Sequence, residues 1–223
     1  MNNEILILGA TGKTVPRLAP MLAGGGRAVK LASRSDRPGH LRFDWDTPET
    51  WRLALQNVEA IYLVTPDLVE NPSTEIAAFL EAAREAGARH VVAVSSLAVT
   101  FPGEPADSGR RKVEAAIMHS GLAWTILRPS GFHQNFTEGF LAPGVRAGLV
   151  RSATAAGKAG LVDAHDIAAV AAVALTTTGH DGATYAVTGP EPLSFADATA
   201  IIGDVTGHDI RYETLSEAEF RSL

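Results

Sequence analysis

Short apolar runs of strand length alternate with longer segments of helical pattern along most of this chain. A run such as ILIL, apolar at every position and ended by glycine, is typical of a strand buried on both faces of a parallel sheet. Strands joined in turn by helices form βαβ units. The alternation therefore predicts an α/β protein with a doubly wound, mostly parallel sheet and helices on both faces, its strands being residues 5–8, 28–33, 41–45, 60–64, 90–96 and 123–129.

The helices between these strands carry recognisable start and stop residues. PETWRLALQ predicts a short helix over 48–56. In the next helix Asn71 suits the N-cap and Pro72 the first helical position, and Gly87 suits the stop. A further helix is expected over 109–120, before the last predicted strand.

The turn after the first strand reads LGATGKTVPRL over residues 8–18. Gly9 permits a tight turn, and Gly12 lets the backbone approach a pyrophosphate at the start of the next helix. The third glycine of the usual pattern is replaced by Val15, where glycine would allow close helix–strand packing. We predict a Rossmann-like dinucleotide site whose first helix starts late, stands off the sheet or kinks near Pro20. The alternative is a plain strand-to-helix turn.

The end of the second strand bears on which dinucleotide binds. NAD sites place a carboxylate there, on the ribose 2′-hydroxyl, whereas NADP sites offer an arginine to the 2′-phosphate. Here the strand ends Ser33-Arg34-Ser35, and the carboxylate of Asp36 comes two residues after Arg34. Guanidinium and hydroxyl groups suit a phosphate dianion, so NADP(H) is favoured over NAD(H). The alternative is that Arg34 is a solvated surface residue.

Composition limits the class of protein. The chain has 223 residues, 46% of them hydrophobic, which is enough for one α/β domain with a sizeable core. A formal net charge of −6 argues against nucleic-acid binding, and the absence of cysteine excludes disulfides and thiolate metal sites. The start lacks the features of a signal peptide, and no apolar run reaches the ~20 residues of a membrane span. We expect a soluble cytoplasmic protein with no metal site and no membrane partner.

Several tracts together resemble the NmrA-like branch of the atypical short-chain dehydrogenases/reductases. The most specific of them is GLAWTILRPSGFHQNF at 121–136. The others are ILILGATGKT at the start, Arg34 at its strand end, FDWDTPETW (43–51), AIYLVTPD (60–67), HVVAVSS (90–96), DAHDIAAVAAVAL (163–175) and YAVTGPEPLSFADA (185–198). The resemblance runs from about residue 4 to about residue 212.

The resemblance implies cofactor and substrate contacts on one edge of the sheet. The implied cofactor residues are Gly9, Thr11, Gly12 and Lys13 around the phosphates, Arg34 on the 2′-phosphate, Asp44 near the adenine, Thr65 and Pro66 after the fourth strand, Ser95 after the fifth, Lys112, and Pro129 to Phe132 beside the nicotinamide. The implied substrate residues are Phe132, His133, Asn135 and Phe136. For Phe132 and Phe136 simple core packing is the alternative.

Short-chain dehydrogenases use a Tyr-x-x-x-Lys pair on one helix face, where lysine holds the nicotinamide ribose and tyrosine passes a proton to the substrate. Residues 108–112 read SGRRK, so Lys112 fills the lysine position and Ser108 stands in place of the tyrosine. An alkyl hydroxyl is a far weaker acid than a phenol and cannot simply replace it. The usual strand-end hydroxyl is also missing in this register, because the third residue of Ser95-Ser96-Leu97 is apolar.

Hydride transfer itself needs a held nicotinamide and a placed acceptor, since the cofactor carries the chemistry. Lys112, His133 or water is expected to supply the proton, and His133 is the best titratable candidate because histidine titrates nearest neutrality. The alternatives are a charged solvated face for Lys112 and a loop role without proton transfer for His133. Asp163 and His165 suggest the start of a helix more than a metal site.

Three functions are considered. The first, and the one predicted, is an NADPH-dependent reductase of a small organic acceptor of quinone, enone, imine or carbonyl type, acting by hydride transfer without the usual tyrosine proton donor. The second is a redox-sensing or regulatory NADP(H)-binding protein without turnover. The third is a non-redox enzyme, a cyclase or isomerase, that uses the same pocket. The missing tyrosine favours the second and third.

The chain is expected to form a single NAD(P)-binding domain over residues 1–223. Its substrate-side segments are expected at about 130–162 and 189–223, and they form a reduced C-terminal region. The family typically carries further C-terminal helices over the substrate. A reduced cover leaves an open cleft unless a second subunit closes it, so we expect either a homodimer or an acceptor with a large exposed part.

Overall fold

The computed structural model describes residues 4–35, 37–66 and 69–222. Asp36, the carboxylate noted after Arg34, lies outside these residues. The chain divides into two compact units. The first comprises Met1–Pro129 and His165–Val187, and the second comprises Ser130–Ala164 and Thr188–Leu223. None of the helices in the described part of the chain is long and apolar enough to cross a membrane.

The first unit is built on a seven-stranded sheet in which every neighbouring pair of strands is parallel. The strands of this sheet are β1 (Glu4–Leu8), β2 (Ala28–Ser33), β3 (His40–Arg42), β4 (Val58–Val64), β5 (His90–Val94), β6 (Ala123–Pro129) and β9 (Ala183–Val187). Their order across the sheet is β3-β2-β1-β4-β5-β6-β9, and the two strands numbered between β6 and β9 belong to the second unit. The order changes direction at β1 and β4, which makes the carboxyl end of β1 the expected ligand site of a Rossmann-like sheet. The predicted α/β class is confirmed.

Helices connect these strands. They are α1 (Val15–Gly24), α2 (Trp51–Ala54), α3 (Ser73–Glu85), α4 (Gly109–Met118) and α6 (Ala164–Thr176), whose first residue belongs to the second unit. The main core of the first unit packs buried residues of β1, β4, β5 and β6 against α2, α3 and α4. This core holds the carboxyl ends of the strands in a fixed arrangement.

The predicted late start of the first helix is confirmed. α1 begins at Val15, three residues beyond Gly12, with Pro16 in its first turn. Its inner face consists of Val15, Leu18 and Leu22, all of them buried. The helix continues through Pro20, where the ring removes one backbone donor.

Two predicted bounds around residue 45 are wrong. The third strand was expected to run to residue 45 but ends at Arg42. The N–H of Phe43 still donates to the carbonyl of Ser33 at 2.9 Å, and the rings of Phe43 and Trp45 pack in an aromatic cluster with Trp51 and Phe79. The short helix expected over 48–56 is instead a 3₁₀ turn at Pro48–Thr50 followed by α2.

Other predicted bounds shift by a few residues. Asn71 was expected as the N-cap of α3, but Pro72 takes that position, and Asn71 accepts a hydrogen bond from the N–H of Ser73 through Oδ1 at 3.4 Å. β5 ends at Val94 because Ser96 caps a following 3₁₀ turn through its hydroxyl. α4 ends at Met118, two residues earlier than expected.

The described residues of the second unit form two small sheets, a 3₁₀ turn at His133–Asn135 and the α-helices given below. β8 (Lys158–Gly160) pairs with β10 (Pro192–Ser194) in antiparallel fashion, and β7 (Leu149–Ser152) pairs with β11 (Arg211–Thr214) in parallel. The helices are α5 (Ala142–Arg146), α7 (Phe195–Thr206) and α8 (Glu217–Arg221). Its core includes Phe136, Leu141 and Val150.

Candidate functional site

The glycine turn lies at the carboxyl end of β1 and is shaped by β4 beside it. Gly9 has a φ of +70°, and a Cβ there would lie 3.0 Å from the Cβ of Val64. The N–H of Gly12 donates to the carbonyl of Gly9 at 2.8 Å, which closes the turn. Thr11 and Gly12 are exposed, so their backbone is open to a ligand. A turn of this form fits a pyrophosphate, because glycine leaves the approach to the backbone uncovered.

Arg34 lies on the same edge of the sheet as this turn. β1 and β2 are paired in parallel, with Leu8 opposite Ala32, and the N–H of Ala10 donates to the carbonyl of Ala32 at 3.3 Å. Arg34 follows the end of β2 and is exposed. The buried Ser33 hydroxyl donates to the carbonyl of Ser35 at 3.0 Å, which fixes the backbone on both sides of Arg34.

Asp44 is anchored through its backbone. Its carbonyl accepts from the indole Nε1 of Trp51 at 2.9 Å, and its N–H donates to the hydroxyl of Thr50 at 3.0 Å. The carboxylate accepts from the N–H of Asp46 at 3.3 Å and lies 3.9 Å from the guanidinium of Arg42. The aromatic cluster therefore holds Asp44 at the end of β3, next to β2 in the sheet.

A cleft of about 880 Å³ opens beyond the ends of β4 and β5. Four of the implied cofactor residues line it, namely Thr65, Pro66, Ser95 and Lys112. Ser108, which stands at the position of the family's tyrosine, lines it as well. Lys112 is exposed on the first turn of α4. The sequence thus brings together the strand-end residues and the lysine of the expected relay in one concave surface.

Ser108 serves the backbone of α4. It is the N-cap, and its hydroxyl accepts from the N–H of Arg111 at 3.4 Å. A hydrogen bond from Ser108 holds the pKa of the Glu104 carboxyl below its ordinary value, and the charge of Arg110 acts in the same direction. The guanidinium of Arg110 lies 3.3 Å from Glu104. The hydroxyl at the tyrosine position is therefore part of a cap and an acidic contact.

The N-terminus of α4 packs closely on the segment before α3. A Cβ placed on Gly109 would lie 1.8 Å from the carbonyl oxygen of Glu70 and 3.0 Å from the Cα of Asn71. Real Cβ atoms do not approach a backbone oxygen at such a distance. Gly109 is therefore required for this contact, although its conformation itself is accessible to other residues.

Ser95 belongs to a buried charged network. Its hydroxyl donates to Glu114 Oε1 at 2.6 Å, and Arg128 binds the same carboxylate through two bonds, Nε to Oε1 at 2.9 Å and Nη2 to Oε2 at 2.6 Å. Glu114 is 5% exposed, and its carboxylate raises the pKa of the Arg128 guanidinium. The network links α4 to the end of β5 and to β6. Its α4 member, Glu114, comes two residues after Lys112. The Ser95 hydroxyl can still accept a hydrogen bond from a ligand, but its own proton is already donated.

The predicted substrate residues lie in the second unit, after Pro129 at the buried end of β6. Phe132 forms a backbone bridge with Val162. His133 is about half exposed, and its Nδ1 lies 3.9 Å from Asp163. Asn135 is partly buried, and its N–H donates to the carbonyl of Phe132 at 3.0 Å.

Phe136 is 4% exposed and packs edge to face on Phe195 with ring centroids 5.5 Å apart. These contacts are those of a core side chain, the alternative stated for it above. Its role towards a substrate stays a prediction.

The sequence analysis did not identify three buried polar residues that hold the candidate site residues in place. Gln134 is buried, and it accepts from the N–H of Ala164 at 2.8 Å and donates to Asp163 at 3.1 Å. Glu114 and Tyr62 are the others. A buried tyrosine or charged residue needs a partner, so a tyrosine inside the apolar run of β4 was a signal of such a contact.

The suggestion of a helix start at 163–166 is confirmed, because α6 begins at Ala164. Within the described part of the chain, no group of three or more histidine, aspartate or glutamate side chains is arranged to hold a metal ion.

Comparison with known proteins gives a family match. The model of the NAD(P)H-binding family matches residues 9–178. A reductase of (4-alkanoyl-5-oxo-2,5-dihydrofuran-3-yl)methyl phosphate from Streptomyces griseus is 38% identical over 95% of this chain and 77% of its own length. The NAD(P)H azoreductase of Xenophilus azovorans is 32% identical, with 95% of this chain and 77% of the relative covered.

Solved structures agree in fold. The NADPH-dependent quinone oxidoreductase of Escherichia coli, solved in complex with NADPH, superposes with a TM-score of 0.81. It is 25% identical in sequence, and the match covers 98% of this chain and 81% of that one.

Proposed function

This chain belongs to the NAD(P)H-binding family, and we propose that it reduces a small organic acceptor with NADPH as the preferred reductant. The resemblance to the atypical short-chain dehydrogenases/reductases is confirmed by these matches, and the named relatives cited above are reductases or oxidoreductases. An enzyme of the NAD(P)H-dependent reductase class is therefore supported over a binding protein without turnover. The preference for NADPH and the type of acceptor are the parts that need a test.

The observation that carries the proposal is the pairing of an open glycine turn with an exposed arginine at adjacent strand ends. Thr11 and Gly12 are exposed in the turn after β1, and Arg34 follows β2, the neighbour of β1. The turn suits the pyrophosphate, which both dinucleotides share. A guanidinium suits the 2′-phosphate, which only NADPH carries.

The other predicted cofactor residues follow the same edge. Thr11 and Lys13 would complete the phosphate contacts, and Asp44 would lie by the adenine. Thr65 and Pro66 follow β4, Ser95 follows β5, and all three line the cleft together with Lys112. When bound, the reduced nicotinamide supplies a hydride, and the acceptor also needs a proton.

The chain's own groups supply little acid strength where the family's tyrosine acts. The Ser108 hydroxyl caps α4 and contacts Glu104, and the proton of Ser95 is donated to Glu114. Lys112 lines the cleft and can orient a ligand hydroxyl or carry a proton, and His133 is partly exposed in the second unit. Acceptors that need little acid help, such as quinones, enones and iminium ions, fit this set of groups better than simple ketones.

The first test is a pair of fluorescence titrations followed by turnover assays. We expect NADPH to bind at least about 10-fold more tightly than NADH, because a charge-assisted contact to phosphate is worth about 1.5–3 kcal/mol. NADPH oxidation, followed by absorbance, should then appear with a quinone, an enone or an imine. Equal affinity for the two nucleotides would contradict the preference. Tight NADPH binding without turnover on any acceptor would instead favour a regulatory role.

Lys112→Ala tests the lysine. We expect kcat/KM to fall about 10- to 100-fold, since the substitution removes the ammonium group of a lysine that lines the cleft. Steady-state kinetics with the best acceptor measure this.

Arg111→Ala is the matched control for this substitution. It removes a charge from the adjacent exposed residue, which is not among the described residues that line the cleft. The control should keep kcat/KM within about 2-fold of the unaltered protein, as surface substitutions usually do. An unchanged kcat/KM in Lys112→Ala would remove the lysine from the proposed site.

A further inference from the structure

Tyr62 is a fully buried side chain with a polar end, in the middle of β4. Its hydroxyl donates to Thr14 Oγ1 at 2.8 Å, and both residues lie inside the first unit. Burial raises the pKa of the phenol, so the hydroxyl keeps its proton and acts as a donor. This hydrogen bond joins the sheet to the residue that precedes α1.

Thr14 stands at the junction between the glycine turn and α1. It is the N-cap of the helix, but its side chain makes no capping bond, and its hydroxyl oxygen accepts a hydrogen bond from Tyr62. Its carbonyl accepts the first bonds of the helix, from the N–H of Arg17 at 3.1 Å and of Leu18 at 2.9 Å. Thr14 is 5% exposed, directly after the open segment Thr11–Lys13. The position of Thr14 therefore sets where the turn ends and where the helix begins.

The hydrogen bond between Tyr62 and Thr14 is important because valine replaces the third glycine of the usual turn. Glycine at that position lets the helix lie close to the strand, whereas Val15 fills the space and is 1% exposed. β4 supports the turn at two points, with the side chain of Val64 against Gly9 and the hydroxyl of Tyr62 on Thr14. The hydrogen bond supplies a directional contact between β4 and the residue that precedes Val15.

We infer that Tyr62 is a positioning residue of the dinucleotide site, which holds the phosphate-binding turn through its hydrogen bond to Thr14. The inference rests on the proposed function, because it concerns the turn that the nucleotide would occupy. The turn serves the pyrophosphate common to both nucleotides. Loss of the hydrogen bond should therefore weaken NADPH and NADH by the same factor.

Tyr62→Phe removes the single oxygen and keeps the ring. We expect the Kd values of NADPH and NADH to rise together by about 5- to 30-fold, since the Thr14 hydroxyl is left buried without its partner. The KM for NADPH should rise in parallel, while kcat and the KM of the acceptor stay within about 2-fold. Fluorescence titration and steady-state kinetics give these values.

Tyr185→Phe is the matched control. It deletes the same oxygen from the other tyrosine of the sheet, which is partly buried and whose hydroxyl is hydrogen-bonded to His180 Nδ1 at 2.8 Å. The midpoint of thermal unfolding should fall by a few degrees at most in both variants. Only Tyr62→Phe should change nucleotide affinity. Equal Kd shifts in the two variants, or an unchanged Kd in Tyr62→Phe, would overturn the inference.

Variants of Thr14 complete the design. Thr14→Ser keeps the hydroxyl and should bind NADPH within about 2-fold of the unaltered protein, whereas Thr14→Val should match Tyr62→Phe. The double variant Tyr62→Phe/Thr14→Val should bind no more weakly than either single variant, because the pair acts as a unit. Additive losses would overturn the inference. If the unaltered protein binds neither nucleotide, the proposed function fails and the inference fails with it. If the unaltered protein binds NADPH and Tyr62→Phe binds it equally well, only the inference fails.

Discussion

Replacing Arg34 with alanine is expected to weaken NADPH about 10- to 100-fold and to leave NADH within about 2-fold. The guanidinium follows the end of β2, is exposed, and has its backbone fixed by the Ser33–Ser35 contact. A charge-assisted bond to a phosphate group is worth about 1.5–3 kcal/mol, and NADH lacks that phosphate. Parallel fluorescence titrations of the two nucleotides measure the difference.

Two further variants sharpen this expectation. Arg84→Ala removes an exposed arginine on α3 that pairs with Glu81, and both affinities should stay unchanged. Arg34→Lys keeps the charge without the planar fork and should give an intermediate NADPH affinity. An equal loss for NADPH and NADH in Arg34→Ala would refute the contact with the 2′-phosphate.

Gly109→Ala is expected to destabilise the protein by about 3 kcal/mol or more. The added Cβ would lie 1.8 Å from the carbonyl oxygen of Glu70, so the start of α4 must move away from the segment before α3. Alanine favours a helix over glycine by about 1 kcal/mol, so any loss must come from this contact. The midpoint of thermal unfolding should fall by about 6–12 °C for a chain of this size.

Gly103→Ala is the control for Gly109→Ala. Nothing lies within 4 Å of a Cβ at Gly103, which precedes the same helix. Its unfolding midpoint should change by no more than about 2 °C. A Gly109→Ala protein as stable as the Gly103→Ala protein would mean that the close approach of Gly109 to Glu70 does not hold in solution.

The parts of the fold that follow from local pattern are predicted well. β6 matches its predicted range of 123–129 at both ends, because the apolar run is bounded by Gly121 and by the Ser130-Gly131 pair. The edge of the sheet that carries the turn and Arg34 also follows from the alternation of strands and helices, since parallel strands place their carboxyl ends together.

The errors have a physical cause. Phe43 and Trp45 are apolar and look like strand residues, but β3 ends before them, and their rings pack on one another and on Phe79. The periodicity of apolar residues indicates which side chains are buried, but it does not indicate which part of the protein they pack against. The cap at Asn71 fails for a similar reason, because the helix starts one residue later and Asn71 bonds the N–H of Ser73.

The chemistry of the site is predicted less completely than its location. The absence of tyrosine at position 108 is read directly from the sequence, and the structure adds that Ser108 caps α4. The network of Ser95, Glu114 and Arg128 is not predictable from spacing, because it joins three elements through side-chain packing. The same holds for Tyr62 and Thr14, which are 48 residues apart in sequence.

The pairing of Glu114 with Arg128 also restricts which substitutions this protein tolerates. Removing one partner leaves a buried charge and costs about 3–5 kcal/mol, whereas replacing both with apolar residues of similar size is often tolerated. Single replacements at these two positions are therefore expected to be costly and a paired replacement much less so. Because Glu114 lies two residues after Lys112 on α4, the pair also helps to hold Lys112 in its place at the cleft.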